Sequence, residues 1–205
     1  MVGKNTVKKE REIKKRIVLL DMHAILHRSY HALPDFTSPS GEPTGALFGF
    51  LTLFFKMVDQ LDPYCVVACY DLPAPTHRHE AFAEYKAGRQ NTDEELVAQI
   101  IRSKEVLDAF SIPRCEKSGF EADDLLGTLA QHYKQQKDTE VVIVSGDMDT
   151  LQLVDGGKVQ VYTLKRGMQE TILYDEAQVL ERYGFTPSRI PDYKGLRGDP
   201  SDNIP

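Results

Sequence analysis

The sequence has few cysteines and no long hydrophobic run, and both absences narrow the classes of protein to consider. Only three cysteines, Cys65, Cys69 and Cys115, occur in 205 residues. Their spacing fits neither a disulfide framework nor a zinc site, so we expect a reducing, cytoplasmic compartment. No apolar run approaches the length that spans a membrane, and the N-terminus is polar and basic. Neither a membrane anchor nor a signal peptide is therefore expected.

Several catalytic motifs are also missing. The sequence has no G-x-x-x-x-G-K-[ST] loop and no G-x-G-x-x-G, which argues against a nucleotide kinase and a dehydrogenase. No serine, histidine and aspartate are spaced as a nucleophilic triad. A metal-dependent phosphatase would need a D-x-D nucleophile pair at a strand end, and Asp21-Met22-His23 does not supply one. A content of 41% hydrophobic and 27% charged residues is ordinary for one globular α/β domain.

Acidic residues follow several of the apolar runs. The runs 17–20, 64–70 and 140–145 are each typical of a buried strand, and they are followed by Asp21, by Asp71, and by the pair Asp147 and Asp149. The carboxyl ends of parallel strands meet at one edge of an open sheet, so we expect these acids to converge. One aspartate after a strand is commonly a turn residue or a helix cap, but three are hard to explain in that way.

A second acidic group, Glu121, Asp123 and Asp124, begins a helix that is predicted to run to about residue 136. Acids favour a helix N-terminus because they complement its dipole, but three in four positions repel one another. A bound cation explains their proximity better, and Asp199 and Asp202 can add two more carboxylates. Oxygen ligands without histidine or cysteine suit Mg²⁺ or Mn²⁺, and a cluster of this size suits two ions about 4 Å apart.

The net charge of −6 argues against a polyanionic partner until its distribution is considered. Nine of the 31 acidic residues are candidates for one site, and the other 22 face 25 lysines and arginines, a balance of +3. The rest of the surface would therefore not repel nucleic acid. Residues 1–15 form a basic N-terminal extension, for which a solvated tail and phosphate contact both stay open.

The segment 76–89 is predicted to be a helix that carries basic residues and an aromatic one. Arg78, Tyr85 and Arg89 would share one face, with Lys86 at its edge. An aromatic ring among cations can stack a base while the cations hold phosphate. A solvated helix face is the simpler alternative for this segment taken alone.

Six blocks, in the order LLD, YD, RHEAFAEYKAGR, GFEADD, SGDMD and GLRGDPSDNIP, resemble the 5′ nuclease family from about residue 17 to the end. The resemblance is above all to the 5′-3′ exonuclease domain of bacterial DNA polymerase I, with flap endonucleases more distant. It implies an α/β, Rossmann-like, PIN-type fold with a mainly parallel central sheet flanked by helices. The nuclease domain would span 16–198 with a helical arch at about 73–111, and 199–205 would begin a helix-hairpin-helix region.

The resemblance also implies an activity and a set of site residues. We expect a monomeric enzyme that cleaves 5′ ends and flaps of DNA, and RNA primers, in replication and repair, with two Mg²⁺ or Mn²⁺ ions. Lys86 and Arg89 match catalytic basic residues at the scissile phosphate, Tyr85 a stacking position and Arg78 a phosphate contact. One metal group matches Asp21, Asp71, Glu121 and Asp123, with Asp124 alongside, and the second matches Asp147, Asp149, Asp199 and Asp202.

Two alternatives remain open from the sequence. The helix-hairpin-helix element that grips duplex DNA does not follow Pro205, so the chain could be a nucleic-acid-binding fragment with weak or no activity. In that case Asp199 and Asp202 would lie on an unsupported segment. A PIN-like ribonuclease with a different substrate is the other alternative.

Overall fold

A single mixed sheet forms the centre of the computed structural model, which describes residues 15–89, 91–166 and 170–205. Within these ranges six strands lie in the order β3-β2-β1-β4-β5-β6. All neighbouring pairs are parallel except β5 and β6. The basic extension predicted for residues 1–15 lies outside the described residues, apart from Lys15, which opens the first strand. The strands are β1 (Lys15–Asp21), β2 (Cys65–Cys69), β3 (Arg114–Cys115), β4 (Thr139–Val144), β5 (Val159–Arg166) and β6 (Glu170–Tyr174).

The apolar, β-branched runs form the central strands because both faces of the sheet are covered. Leu19 of β1 lies opposite Val67 of β2 and Ile143 of β4. Leu19 and Ile143 are fully buried. Continuous apolar runs are typical of parallel strands that are buried on both sides. The predicted α/β class and mainly parallel sheet are thus confirmed.

The helices lie on both faces of the sheet. One face is covered by α1, α2 and α4, and the other by α5, α6 and a 3-10 helix at Met148–Leu153. Among the described residues, no helix combines the length and the hydrophobicity that crossing a bilayer requires. The helices are α1 (Met22–Ala32), α2 (Gly45–Leu61), α3 (His77–Ala81), α4 (Glu94–Ala109), α5 (Ala122–Lys134), α6 (Glu176–Tyr183) and α7 (Ile190–Arg197).

The helix predicted over 76–89 is interrupted. Helix α3 ends at Ala81, Phe82 is extended, and Lys86 adopts a positive φ of 58°. The chain then runs through successive turns that place Tyr85 against the carboxyl edge of the sheet, where it is buried. Contacts with acidic side chains therefore override the helical pattern in this segment. Helix α4, which the sequence placed in the arch, packs against α1 and α2 in the main helical layer.

The segment 199–205 is held in place, contrary to the expectation that it lacks support. The N–H of Asp199 donates to the carbonyl of Ile204 at 2.9 Å, which closes a tight loop around a short 3-10 helix at Pro200–Asp202. The N–H of Lys86 donates to the carbonyl of Asp202 at 3.0 Å. These bonds fix the segment to the turns that follow α3.

Candidate active site

The carboxyl edge of the sheet opens into a cavity of about 600 Å³. Strands β1, β2 and β4 are neighbours and run in the same direction, so the loops that leave them converge there. The first turn of α5 closes one side. Asp124 and Asp199 do not line the cavity. Seven of the nine predicted acidic residues do line it, namely Asp21, Asp71, Glu121, Asp123, Asp147, Asp149 and Asp202.

Ser145 connects the acids of two neighbouring strands. Asp21 ends β1 and caps α1, since its Oδ1 accepts a hydrogen bond from the N–H of Ala24 at 3.1 Å. Its Oδ2 accepts from the Ser145 hydroxyl at 2.6 Å, and the same hydroxyl accepts from the N–H of Asp147 at 2.9 Å. The sequence-based interpretation missed Ser145. Its position directly after β4 and two residues before Asp147 could have indicated that it lies beside the acids.

The start of α5 is organised by two carboxylates, those of Asp71 and Asp124. Asp71 Oδ1 accepts from the N–H of Ala122 at 2.7 Å, which connects the end of β2 to the helix. Asp124 accepts from the N–H of Glu121 at 2.9 Å as part of a capping box. Arg78 donates to both oxygens of Asp124, at 2.8 and 2.7 Å. Asp124 therefore caps the helix and forms an ion pair with Arg78, and it is not one of the residues that line the cavity.

Asp123 lies among negative charges. Burial, together with repulsion from Asp21, Asp147, Asp71 and Glu121, raises the pKa of Asp123 to about 8. Burial also raises the pKa of Asp21 to about 6, although the hydrogen bond from Ser145 opposes the shift. No group in the described part of the chain donates a hydrogen bond to the Asp123 carboxylate. A bound cation would relieve this crowding, because it favours the ionised form of both groups.

Basic and phenolic groups from the turns after α3 bind the acids directly. Lys86 Nζ lies 2.7 Å from Glu121 Oε1, and Arg89 forms an ion pair with Asp202. The Tyr85 hydroxyl lies 3.2 Å from a carboxylate oxygen of Glu121 and 3.2 Å from one of Asp202. Tyr85 is only 8% exposed, so the ring predicted to stack on a base is packed inside the site.

Lys194 of α7 bridges two acids of the predicted second metal group. Its ammonium lies 3.0 Å from Asp149 and 2.9 Å from Asp199. Asp199 also accepts from the Ser201 hydroxyl at 2.6 Å. These contacts raise the pKa of Lys194 against the opposing effect of burial. The sequence-based interpretation did not include Lys194. The positions of lysines and acids in the sequence do not show which of them form ion pairs in the folded protein.

The cavity acids are of the chemical type that binds a hard divalent cation, although several of them are paired with basic side chains. Within 15–89, 91–166 and 170–205, no group of three or more acids, histidines or cysteines is assembled as a ready-made cation cage. Lysine and arginine side chains instead hold Glu121, Asp149, Asp199 and Asp202. The remaining cavity acids, Asp21, Asp71, Asp123 and Asp147, offer carboxylate oxygens of the kind that Mg²⁺ and Mn²⁺ prefer.

An acid-lined cavity at the carboxyl edge of a parallel sheet, flanked by basic side chains, is typical of metal-dependent nucleases. The family model for the 5′-3′ exonuclease, N-terminal resolvase-like domain matches residues 16–184, and the chain belongs to this family. The DNA polymerase I of Bacillus caldotenax is 41% identical over 193 residues, which are 94% of this chain and 22% of that protein. The DNA polymerase I of Mycobacterium tuberculosis H37Rv is 37% identical over 207 residues, which cover 100% of this chain and 23% of that protein. The chain thus spans about a fifth of the length of these relatives.

Solved structures with low sequence identity share the fold. The bacteriophage T5 D15 flap endonuclease, in a complex with DNA and metal ions, has a TM-score of 0.73 at 17% identity, over 92% of this chain and 68% of that one. The T5 5′-exonuclease with zinc bound has a TM-score of 0.73 at 20% identity, over 93% and 69% of the two chains. Human GEN1 with Holliday junction DNA has a TM-score of 0.58 at 14% identity, over 95% and 47%. The PIN-like fold predicted from the sequence is confirmed.

Proposed function

We propose that this chain is a divalent-metal-dependent 5′ nuclease that hydrolyses phosphodiester bonds at 5′ ends and flaps of DNA. The observation that carries this proposal is the convergence of seven predicted acids in one cavity that basic side chains also line. Family membership and the fold shared with a flap endonuclease crystallised with DNA support the same reaction class. RNA primers are a second substrate of the same chemistry, and the monomer is the expected active form.

Mg²⁺ or Mn²⁺ would be held by two groups of carboxylates. The first group is Asp21, Asp71, Glu121 and Asp123, and the second is Asp147, Asp149, Asp199 and Asp202. Two ions held there would supply Lewis-acid chemistry, lowering the pKa of water and offsetting negative charge that develops on the phosphate. Asp124 supports the first group by capping α5 and by fixing Arg78.

The basic side chains have a separate role in this proposal. Lys86 and Arg89 line the cavity together with the acids, where they can bind the phosphate and stabilise its developing negative charge. Each is paired with a predicted metal ligand, Lys86 with Glu121 and Arg89 with Asp202. A metal ion that neutralised Glu121 and Asp202 would release Lys86 and Arg89, which could then bind the phosphate. Arg78, which is paired with Asp124, is a further proposed phosphate contact.

The experiment that tests the proposal compares three labelled substrates with and without Mn²⁺. A 5′-flap DNA, a single-stranded RNA and a small phosphomonoester distinguish a flap nuclease from a ribonuclease and a phosphatase. We expect metal-dependent cleavage of the flap DNA near its branch point. Absence of cleavage of any nucleic acid at millimolar Mn²⁺ would contradict the proposal.

The Asp147→Ala variant tests the site assignment. It removes a cavity carboxylate that caps the 3-10 helix through a 2.8 Å bond from the N–H of Asp149. We expect loss of cleavage with retention of the fold, because Asp147 also repels Asp123 and Asp21. Asp155→Ala is the matched control, since Asp155 pairs with Lys134 outside the cavity. Parental cleavage rates in Asp147→Ala would show the assignment to be wrong.

A further inference from the structure

An exposed aromatic ring stands at the rim of the acid cavity. Phe120 immediately precedes Glu121, lines the cavity and is 40% exposed. The turn that carries it is closed by a bond from the N–H of Phe120 to the carbonyl of Lys117 at 3.3 Å. Gly119 has a φ of +83°, which a residue with a side chain adopts with difficulty. The backbone therefore holds Phe120 at this position without burying it.

Two neighbours hold the ring in a defined place. The N–H of His77 donates to the carbonyl of Gly119 at 3.1 Å, and this anchors the turn on the start of α3. The His77 and Phe120 ring centroids are 5.6 Å apart with an interplanar angle of 48°. Lys117 Nζ lies 4.9 Å from the Phe120 centroid. Lys117 is itself exposed, so its ammonium can move from the ring to an incoming anion.

The other exposed phenylalanines do not share this environment. Phe55 and Phe110 lie on α2 and after α4 and pack edge to face at 6.0 Å. Neither they nor the remaining exposed phenylalanines, Phe36, Phe48 and Phe82, line the cavity. The aromatic residue within the cavity, Tyr85, is buried and bonded to acids. Of the two phenyl or phenol rings that line the cavity, Phe120 and Tyr85, Phe120 is thus the one that a ligand can reach from solvent.

We propose that Phe120 and Lys117 form a ledge on which an unpaired nucleobase stacks while its neighbouring phosphate enters the acid cavity. The inference rests on the proposed nuclease function and identifies the ligand at its rim as a single-stranded nucleotide. Every base has a π-face, so such a ledge accepts any sequence and either sugar. Lys117 adds attraction for the backbone of the same strand. The ledge therefore selects for an unpaired end rather than for a sequence.

The test is a binding measurement with Phe120→Leu, which keeps an apolar side chain and removes the ring. Ca²⁺ replaces Mg²⁺ because its looser coordination supports little cleavage. The ligand is a 5′-flap DNA with 2-aminopurine at the first unpaired position, and a matching single-stranded RNA serves as a second arm. We expect an affinity loss on the order of tenfold for both and loss of the stacking-induced quenching. Phe120→Tyr should restore both signals.

The controls separate the ledge from the nuclease function. Phe55→Leu removes an exposed ring outside the cavity and should leave affinity and quenching at parental values. Parental affinity and quenching in Phe120→Leu would overturn the ledge while leaving the nuclease proposal intact. If the parental chain itself neither bound nor cleaved nucleic acid, the proposed function would fail first, and the ledge with it. A loss confined to DNA would also overturn the ledge, because stacking does not distinguish the sugars.

Discussion

At the scale of single residues, Ser145 is the residue whose hydroxyl connects two of the cavity acids, Asp21 and Asp147. Its hydroxyl donates to Asp21 at 2.6 Å and accepts from the N–H of Asp147 at 2.9 Å. Partners of this kind orient metal ligands, and their removal commonly costs 10- to 100-fold in metal affinity. We therefore expect Ser145→Ala to weaken Mn²⁺ binding on the order of tenfold, as measured by isothermal titration calorimetry.

Ser29→Ala is a matched control for that experiment. Ser29 is fully buried in α1 and its hydroxyl donates to the carbonyl of Ile25 at 2.8 Å, so each variant removes a hydroxyl that donates one hydrogen bond, while Ser145→Ala also removes the acceptor for the N–H of Asp147. Ser29→Ala should lower the free energy of unfolding by about 1 kcal/mol, and Ser145→Ala by about 2 kcal/mol. Only Ser145→Ala should alter metal affinity. Equal Mn²⁺ affinities in the two variants would mean that Ser145 contributes to the stability of the fold and not to metal binding.

Individual residues also mark the limit of sequence-based interpretation. The acids were predictable because their chemical type and their position after strands or at a helix start both indicate a cation site. Their partners were not, since the pair of Arg78 with Asp124 spans 46 residues of sequence. Tyr85 was placed on an exposed helical face, yet its ring is buried because its hydroxyl reaches Glu121 and Asp202.

At the scale of elements, α7 contributes a cation to the second acid group. Lys194 lies between Asp149 and Asp199, so its ammonium competes with a divalent ion for both carboxylates. Lys194 makes two partly exposed ion pairs. With roughly 0.5 kcal/mol for each pair, their joint loss changes the free energy by about 1 kcal/mol, which is roughly a fivefold change in affinity. We expect Lys194→Met to raise Mn²⁺ affinity by roughly this factor and to lower the melting temperature of the metal-free protein.

Lys134→Met provides the comparison for Lys194→Met. Lys134, near the end of α5, pairs with Asp155 at 2.6 Å and does not contact the cavity acids. Its loss should slightly reduce stability without changing metal affinity. If Lys194→Met bound Mn²⁺ more weakly than the parental chain, Lys194 would have to support the metal group rather than compete with it.

The turns after α3 carry the second prediction at this scale. Lys86 Nζ is 2.7 Å from Glu121 and is proposed to bind the phosphate once that acid is otherwise neutralised. Lys86→Ala should lower the single-turnover cleavage rate by roughly an order of magnitude or more. Metal-induced thermal stabilisation should persist, because Glu121 stays in place. A variant that kept its rate but lost that stabilisation would reverse the assigned role.

The elements differ in how far the sequence determined them. Strands β1, β2 and β4 were predictable because each is a short, mostly apolar run that contains two or more β-branched residues. The segment 76–89 was not, because its helical pattern of Arg78, Tyr85 and Arg89 competes with contacts to acids distant in sequence. Helix α3 extends over only five residues. Beyond it, contacts with Glu121 and Asp202 determine the path of the chain.

At the scale of the whole molecule, titration of the acids links stability to pH in two opposite ways. The raised pKa values of Asp21 and Asp123 mean that the folded state binds their protons more tightly than the unfolded chain does. Their contribution to stability is fully present below about pH 4 and is lost as the pH rises through about 6 and 8. The hydrogen bonds from Arg78 to Asp124, and from Ser201 and Lys194 to Asp199, instead lower the pKa of each acid. The contribution of these two is present above about pH 4 and is lost as the pH falls below it.

The metal-free protein should therefore be most stable in mildly acidic solution and should lose stability toward pH 8. Mn²⁺ binds the ionised acids of the folded chain, so its stabilisation should grow over the same interval in which the metal-free protein weakens. At a concentration of 100 times its Kd, an ion contributes about 2.7 kcal/mol, which raises Tm by roughly 5 to 10 °C for a domain of this size. Differential scanning calorimetry at pH 5 and pH 8, with Mn²⁺ or with chelator, measures both effects. A Mn²⁺-induced rise in Tm that was equal at the two pH values would mean that the ion binds outside the cluster of Asp21 and Asp123.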